Sequence, residues 1–301
     1  MQFKRKDLVK ESRREAKKWL DYNLEDKEKE EIYNLLKQEN ENNLIESFHK
    51  KLEFGTGGMR GIIGIGSNRI NTYTISLATQ GLCNYLINLD NTKKTAVIAY
   101  DSRRFSKEFG IQAAKIFSAN NIKSYIFTDL RPTPELSFAV RELNCSCGLV
   151  ITASHNPKEY NGYKVYWNDG GQITAPHDKN IISEVEKIYD FNQINFNYNS
   201  ELIYEIDDEI DKKYIDKIQN LSVYDNSKSN LKIIFSSLHG TGITQIPNAL
   251  KAFGFKNISS VKSQELPDPE FSTVNSPNPE DLDALELGIK KLKKENGDIL
   301  L

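Results

Sequence analysis

Cysteine is scarce in this sequence, with three among 301 residues, at positions 83, 145 and 147. Three thiols form no even disulfide framework and suit a reducing compartment. Cys145-Ser146-Cys147 comes without the further clustered ligands that a zinc site needs, which leaves packing as its expected role. An excess of charge of either sign is also missing, since 40 basic residues stand against 42 acidic ones for a net charge of −2. No overall field then draws the chain to nucleic acid or to an anionic membrane, and any anionic substrate has to be held by a local cluster. No apolar run approaches the ~20 residues of a membrane span. Met1 to Leu20 mixes Lys and Arg with Asp7, Glu11 and Glu15, which fits neither a secretory nor a transit peptide. The expectation is a soluble cytoplasmic protein with no membrane or nucleic-acid partner.

What is present supports cores of ordinary size, because 38% of the residues are hydrophobic and the length allows two domains. From Asp7 to about Lys50 the chain is charged and helical in character, with a narrow stripe of apolar contacts, so it predicts two or three helices lying on a larger body or a partner-binding arm. An amphipathic helix through Ile75, Ala78, Leu82, Tyr85 and Leu89 precedes a strand at Thr95–Tyr100. A helix at Ser106–Ala119, a strand at Lys123–Phe127 and a helix with Thr133 as its N-cap and Pro134 in its first turn come next. Strands over Cys147–Ile151 and Tyr163–Trp167, then a helix from about Asp178 to Tyr189, close the first unit. Asn-rich residues 191–200 read as a linker. The second unit reads as helix 209–221, strand 231–236, a helix ending near Phe253-Gly254, strand 258–261 and an irregular, proline-rich stretch 265–279. Both halves repeat strand, polar loop, helix, which is the grammar of an α/β protein.

Three places could carry chemistry. Residues 54–66 hold six glycines with Arg60 among them, which reads either as a turn or as a backbone that approaches a ligand closely. A nucleotide loop is disfavoured, since no Gly-Lys-Ser/Thr follows and Arg60 breaks the dinucleotide spacing. Asp101-Ser102-Arg103-Arg104 sits at a strand end, where ligands meet α/β sheets and where capping residues also sit. Thr152-Ala153-Ser154-His155-Asn156-Pro157 follows a buried strand, and Asn156-Pro157 keeps it from running into a helix. Ser154 is thereby presented as a turn former or as a nucleophile. A serine-hydrolase elbow is excluded, because it needs glycines where Thr152 and Asn156 stand. Phosphoryl transfer asks for a nucleophilic oxygen, a cation and positioned donors; Ser154 offers the first, with His155, Arg60 and Lys164 as candidate donors.

Thr152–Pro157 with Tyr160-Asn161-Gly162-Tyr163-Lys164 resembles the active-site signature of the α-D-phosphohexomutases, the phosphoglucomutase and phosphomannomutase family. Gly55-Thr56-Gly57-Gly58-Met59-Arg60-Gly61, Tyr100-Asp101-Ser102-Arg103 and His239-Gly240-Thr241-Gly242 agree in order and spacing. The glycine-rich stretch and its helical preamble are similar to the branch that holds phosphoglucomutase-2-like and phosphopentomutase enzymes. The resemblance implies two consecutive three-layer α/β/α domains with mixed sheets, the second incomplete, preceded by N-terminal helices. The expected spans are 1–50 for the helical extension, 51–195 for the first domain and 201–301 for the second. It further implies an isomerase that interconverts hexose 1-phosphate and hexose 6-phosphate through phospho-Ser154 and a sugar bisphosphate. Lys164, Arg60 and His155 would assist catalysis, with Lys164 as the base; Thr56, Gly57, Arg103, Asn156 and His239 would bind substrate; Mg2+ would bind through the phosphate on Ser154.

Two other readings stay open: a phosphopentomutase or glucose-1,6-bisphosphate synthase of the same branch, and a phosphosugar-binding protein without catalysis. Asn278-Pro279-Glu280-Asp281 predicts the start of a helix that Gly297 caps, and Asp298-Ile299-Leu300-Leu301 the opening of an apolar strand. In the resembled family that strand leads to an aspartate-rich loop that supplies carboxylates for magnesium. The expectation is therefore a chain that stops before its metal loop and folds without tight magnesium binding or turnover of its own.

Overall fold

Strands that are apolar on both faces belong in the middle of a covered sheet, and two stretches of this chain are of that kind. The computed structural model describes residues 5–89, 94–224 and 229–301. Helices α1 (Arg5–Leu20), α2 (Asp26–Lys37) and α3 (Asn42–Phe48) lead the chain; residues 1–4 of the expected extension lie outside the described residues. They are followed by β1 (Gly58–Ile62), α4 (Thr72–Ile87), β2 (Thr95–Tyr100), α5 (Ser106–Ala119), β3 (Lys123–Phe127), α6 (Thr133–Glu142), β4 (Cys147–Ile151), β5 (Tyr160–Trp167) and α7 (His177–Glu186). The remainder forms β6 (Ile203–Ile206), α8 (Asp208–Gln219), β7 (Lys232–Phe235), α9 (Gly242–Ala252), β8 (Asn257–Ser260), α10 (Leu282–Glu295) and β9 (Ile299–Leu300). Among the described residues no helix is long and apolar enough to cross a membrane.

The first sheet runs β1-β5-β4-β2-β3-β6. Its centre is parallel and its β1-β5-β4 side antiparallel, so the sheet is mixed. Every residue of β4 is buried, as its uninterrupted apolar run predicts. Ala78, Leu82, Ala113, Phe117, Ile181 and Val185 from α4, α5 and α7 pack on one face. Leu136, Ala139 and Val140 from α6 and Ile210 from α8 pack on the other, which makes three layers. The leading helices close a separate cluster around Trp19, whose ring meets Phe48, Tyr73 and Phe191 edge-on at centroid distances of 5.6, 5.7 and 5.1 Å. The helical extension therefore lies on the first unit.

Around β7 a second, smaller sheet forms in the order β8-β7-β9, all parallel. Several local expectations are corrected. The glycine-rich stretch yields an edge strand, β1, where only a turn or loop was foreseen. β6 falls beyond the expected first-domain limit at 195 yet pairs in parallel with β3, because Ile203 and Ile206 offer an apolar edge next to Ser124–Phe127. Thr133 is the first helical residue of α6, not its N-cap, a position held by Pro132. Helix α10 starts after Asp281, later than Asn278 suggested. At its end Asn296 takes the left-handed conformation (φ 50°), while a side chain on Gly297 would meet Ile234 and Leu292 at 2.8 Å. Glycine is needed there for space, and Asn tolerates the turn.

The two units are joined by a buried polar cluster. Glu135 on α6 is fully buried, and its Oε1 accepts from Nε2 of Gln245 on α9 at 3.2 Å. Arg131 forms a two-pronged pair with Asp211 of α8, both bonds 2.8 Å, and lies 3.9 Å from Glu135. Burial, and then the adjacent Asp211 carboxylate, push the Glu135 carboxyl from an ordinary 4.5 up to about 9. Below about pH 4.5 the group is protonated whether the chain is folded or not. Between there and about pH 9 the folded chain holds a proton that the unfolded chain releases, so this group's contribution to stability is lost as pH rises. Glu135→Gln, which mimics the neutral acid, should therefore gain stability relative to the parent as pH rises from 5 to 9, by up to about 1.4 kcal/mol per pH unit. Chemical denaturation of both proteins across that range checks this, and a constant difference would contradict it.

Candidate active site

Strand β4 ends at Ile151, and the loop that follows is shaped by its own side chains. The Ser154 amide donates to Thr152 Oγ1 at 2.9 Å, and Ser154 adopts φ 57°, a left-handed conformation that costs a non-glycine residue about 1 kcal/mol or more. The hydroxyl stands exposed at the tip, 3.4 Å from His155 Nδ1. Arg103 grips the loop from beneath. Its Nη1 donates to the carbonyls of Pro157 and Tyr160 at 2.8 and 2.9 Å, and its Nη2 to those of Ser154 and Asn156 at 2.9 and 2.5 Å. Asp101 holds Arg103 in turn: one carboxylate oxygen accepts from the Arg103 amide at 2.9 Å and the Ser106 hydroxyl at 2.7 Å, and the other lies 3.5 Å from Arg103 Nε. Burial pushes the Asp101 carboxyl up, against the pull of Thr152, Ser106 and Arg103.

Ser154 faces a cavity of about 450 Å³ between the two units. Asp101, Ser102, Thr152, His155 and Lys164 line it from the first; Ser236, Ser237, Gly240, Thr241 and Gly242 line it from the second. The wall thus gathers the carboxyl ends of β2, β4 and β7, where open α/β sheets take their ligands. On the antiparallel pair β1/β5, Arg60 lies opposite Gly162 and Gly58 opposite Lys164. Gly162 and Lys164 are two residues apart, so Arg60 and Lys164 leave the sheet on one face. Arg60 Nη1 donates to Asn156 Oδ1 at 2.8 Å. Burial and the Arg60 charge push the Lys164 ammonium below its ordinary value, with Asp101 opposing.

Of the residues expected to work together, Ser154, His155 and Lys164 line the cavity, and Arg60 and Asn156, bonded to each other, lie beside the serine loop and strand β5. Four others are engaged elsewhere. Thr56 and Gly57 form the turn before β1, where the Gly57 carbonyl accepts from Val165 N at 3.0 Å and Gln172 Nε2 at 3.3 Å, and a side chain on Gly57 would lie 2.3 Å from Gln172. Through these bonds they hold β1 on β5. Arg103, with its side chain 1% exposed, is committed to loop carbonyls. His239 is buried with both ring nitrogens engaged, Nδ1 with the Leu266 carbonyl at 2.9 Å and Nε2 with Thr273 Oγ1 at 2.8 Å, so it anchors the 265–279 stretch. The wall residues Ser236 and Ser237 were missed, because hydroxyls after a strand read as caps until two units are docked. Among the described residues no group of three His, Cys, Asp or Glu side chains is placed to hold a metal. Asp101 is the acidic residue on the wall and is already bonded, so these residues do not fit a magnesium site on their own.

Residues 51–191 match the family model for phosphoglucomutase/phosphomannomutase alpha/beta/alpha domain I, and residues 212–301 match that for domain II. The phosphoglucomutase of Staphylococcus aureus strain MRSA252 is 40% identical over 259 residues, 85% of this chain and 47% of that protein. That of Staphylococcus haemolyticus strain JCSC1435 is 38% identical over 260 residues, with the same coverage of 85% and 47%. The chain spans about half the length of the curated relatives it matches. A Thermus thermophilus protein assigned as a phosphomannomutase superposes with a TM-score of 0.69 over 81% of this chain and 52% of its own, at 24% identity, a likeness of fold.

Arg103→Lys should test the grip. A lysine brings three donors from one nitrogen and cannot span four carbonyls in a plane. The loop should lose roughly 2–4 kcal/mol of support, since buried carbonyls left unpaired cost about 1–3 kcal/mol each and water reaches only the outer ones. Urea denaturation measures it, and a loss below about 0.5 kcal/mol would mean that the grip contributes little.

Proposed function

Because this chain belongs to the phosphoglucomutase/phosphomannomutase family, we propose that it serves the interconversion of hexose 1-phosphate and hexose 6-phosphate, with Ser154 carrying the transferred phosphoryl group. The observation that carries this reading is the exposed Ser154 hydroxyl at the mouth of a cavity that also holds Lys164, a cation made more acidic by its surroundings. A sugar hydroxyl attacks the phosphorus of phospho-Ser154, Lys164 in its neutral form takes the hydroxyl proton, and the bond from phosphorus to Ser154 Oγ breaks. Arg60 and His155 donate to the phosphoryl oxygens while charge moves between attacking and leaving oxygen. The sugar bisphosphate then turns and returns its other phosphoryl group to Ser154, with Lys164 giving the proton back.

Magnesium bound through the phosphate of Ser154 belongs to this reading as well; with Asp101 committed, its other ligands are not among these side chains, and no step above is routed through it. A cytoplasmic setting suits three buried, unpaired cysteines.

Incubation with glucose 1,6-bisphosphate followed by peptide mapping should find one phosphoryl group on Ser154; a label elsewhere with Ser154 unmodified would overturn the mechanism. In the active enzyme, Lys164→Ala should lower kcat by roughly 10² to 10⁴. It should also remove the fall in rate on the acid side, where Lys164 becomes protonated. A near-normal kcat would return Lys164 to a structural role.

A further inference from the structure

The second unit meets the serine loop at a short turn. Residues 268–274 are closed by Asp268, whose carboxylate accepts from the amides of Glu270 and Ser272, both at 2.9 Å. The Phe271 amide adds a bond to the Asp268 carbonyl at 3.1 Å. His239 fixes this turn to the end of β7 by holding the Leu266 carbonyl and the Thr273 hydroxyl. The turn presents two side chains to the first unit. Glu270 pairs with Lys158 at 3.2 Å and with Arg104, one residue from the serine loop and one from Arg103 respectively. Phe271, at φ 50° and buried, lays its ring 5.3 Å from the Arg103 guanidinium carbon.

These contacts converge on the residue that holds the carbonyls of Ser154, Asn156, Pro157 and Tyr160. Arg103 Nε is buried without a hydrogen-bond partner, and the side of the guanidinium that meets no carbonyl meets an aromatic face. A ring over a guanidinium both attracts it and keeps water from competing for its donors. The Glu270 pairs are half-open to solvent and screened, so the ring is the stronger link. A left-handed backbone at a bulky residue is kept only where the surroundings over-determine it.

We propose that the 268–274 turn is a positioning element for the serine loop, with Phe271 acting through Arg103, so that Ser154 is set in place only when the second unit is docked. Phe271 is then a positioning residue for the phosphoryl transfer proposed above, and the inference rests on that reading for its kinetic part.

Phe271→Leu keeps an apolar side chain and the same backbone demand but removes the ring, and Phe271→Tyr restores it. Hydrogen exchange of amides 152–160 should be about three to thirty times faster in Phe271→Leu, the range that a lost cation–π contact implies, with β2 and β4 unchanged and Phe271→Tyr back at the parent rate. In the active enzyme kcat should fall over the same range while KM for the sugar phosphate stays put. Exchange that does not change, or that rises equally across the whole first unit, overturns the proposal, as does faster loop exchange with an unaltered kcat. Should parent Ser154 take no phosphoryl group at all, the reaction assigned above fails, and the exchange comparison still decides whether the turn positions the loop.

Discussion

A guanidinium buried under a loop is kept where most of its donors are used, and Arg103 uses both Nη1 and Nη2 on four carbonyls of the segment that carries Ser154. The arrangement serves both partners. The Pro157 carbonyl has a second partner in the Tyr160 amide at 3.0 Å, and the planar multiple donor adds one bond to each of the four. The charge, in turn, is balanced by Asp101, just past the end of β2. A serine held at positive φ is a strained position, and the strain persists because the carbonyls on either side are fixed. What would be an ordinary turn thereby becomes a rigid display of one hydroxyl.

The electrostatics of the cavity follow from strand geometry. Antiparallel pairing of β1 with β5 sets Arg60 and Lys164 on the same face, near enough for one cation to make the other more acidic. Had β1 paired one residue out of register, Arg60 would leave the opposite face and the effect would vanish. Gly57 and Gly58 secure that register. A Cβ on Gly58 would fall 1.8 Å from the Tyr163 carbonyl, a contact with backbone that cannot be relieved by a rotamer change. The glycine-rich stretch therefore serves the chemistry at one remove, by letting an edge strand lie close enough to deliver Arg60.

Much of this was legible in the sequence, and the exceptions share a cause. The strands β2, β3 and β4 carry short apolar runs and the helices α4, α5 and α9 apolar residues at helical spacing, so local reasoning found them within a few residues. Ser154 and its loop stood out because a turn signature follows a buried strand. The strand β6 did not, since Ile203 and Ile206, half-buried on either side of the exposed Tyr204 and Glu205, acquire meaning only from the open edge of β3. The surroundings of Arg103 and His239 were not legible for a related reason. Each belongs to a motif that accompanies the site, yet a residue's place in a motif does not say whether its side chain faces the ligand or the loop that faces the ligand. Burial decides that, and burial is a property of the assembled fold.

The cavity itself belongs to neither unit. One wall is built of loops after β2 and β4, the other of the turn after β7 and the proline-bearing stretch near Pro277 and Pro279. Its shape therefore depends on how the units are held together, and that hold adds a buried polar cluster to the apolar contacts of Ile210 and Tyr214 with α6. Arg131, Glu135, Asp211 and Gln245 come from α6 and the turn before it, α8 and α9, and they lie directly behind the cavity residues Pro132, Thr133 and Ile246. A buried polar cluster contributes less net stability than an apolar patch of equal size, but it accepts far fewer relative positions of its partners, since each displaced donor strands an acceptor. Specificity of docking is what a cavity between two units requires. An apolar interface lets its partners slide more readily, and even a slight slide would carry Ser236 and Thr241 away from Ser154 while Lys164 stayed behind.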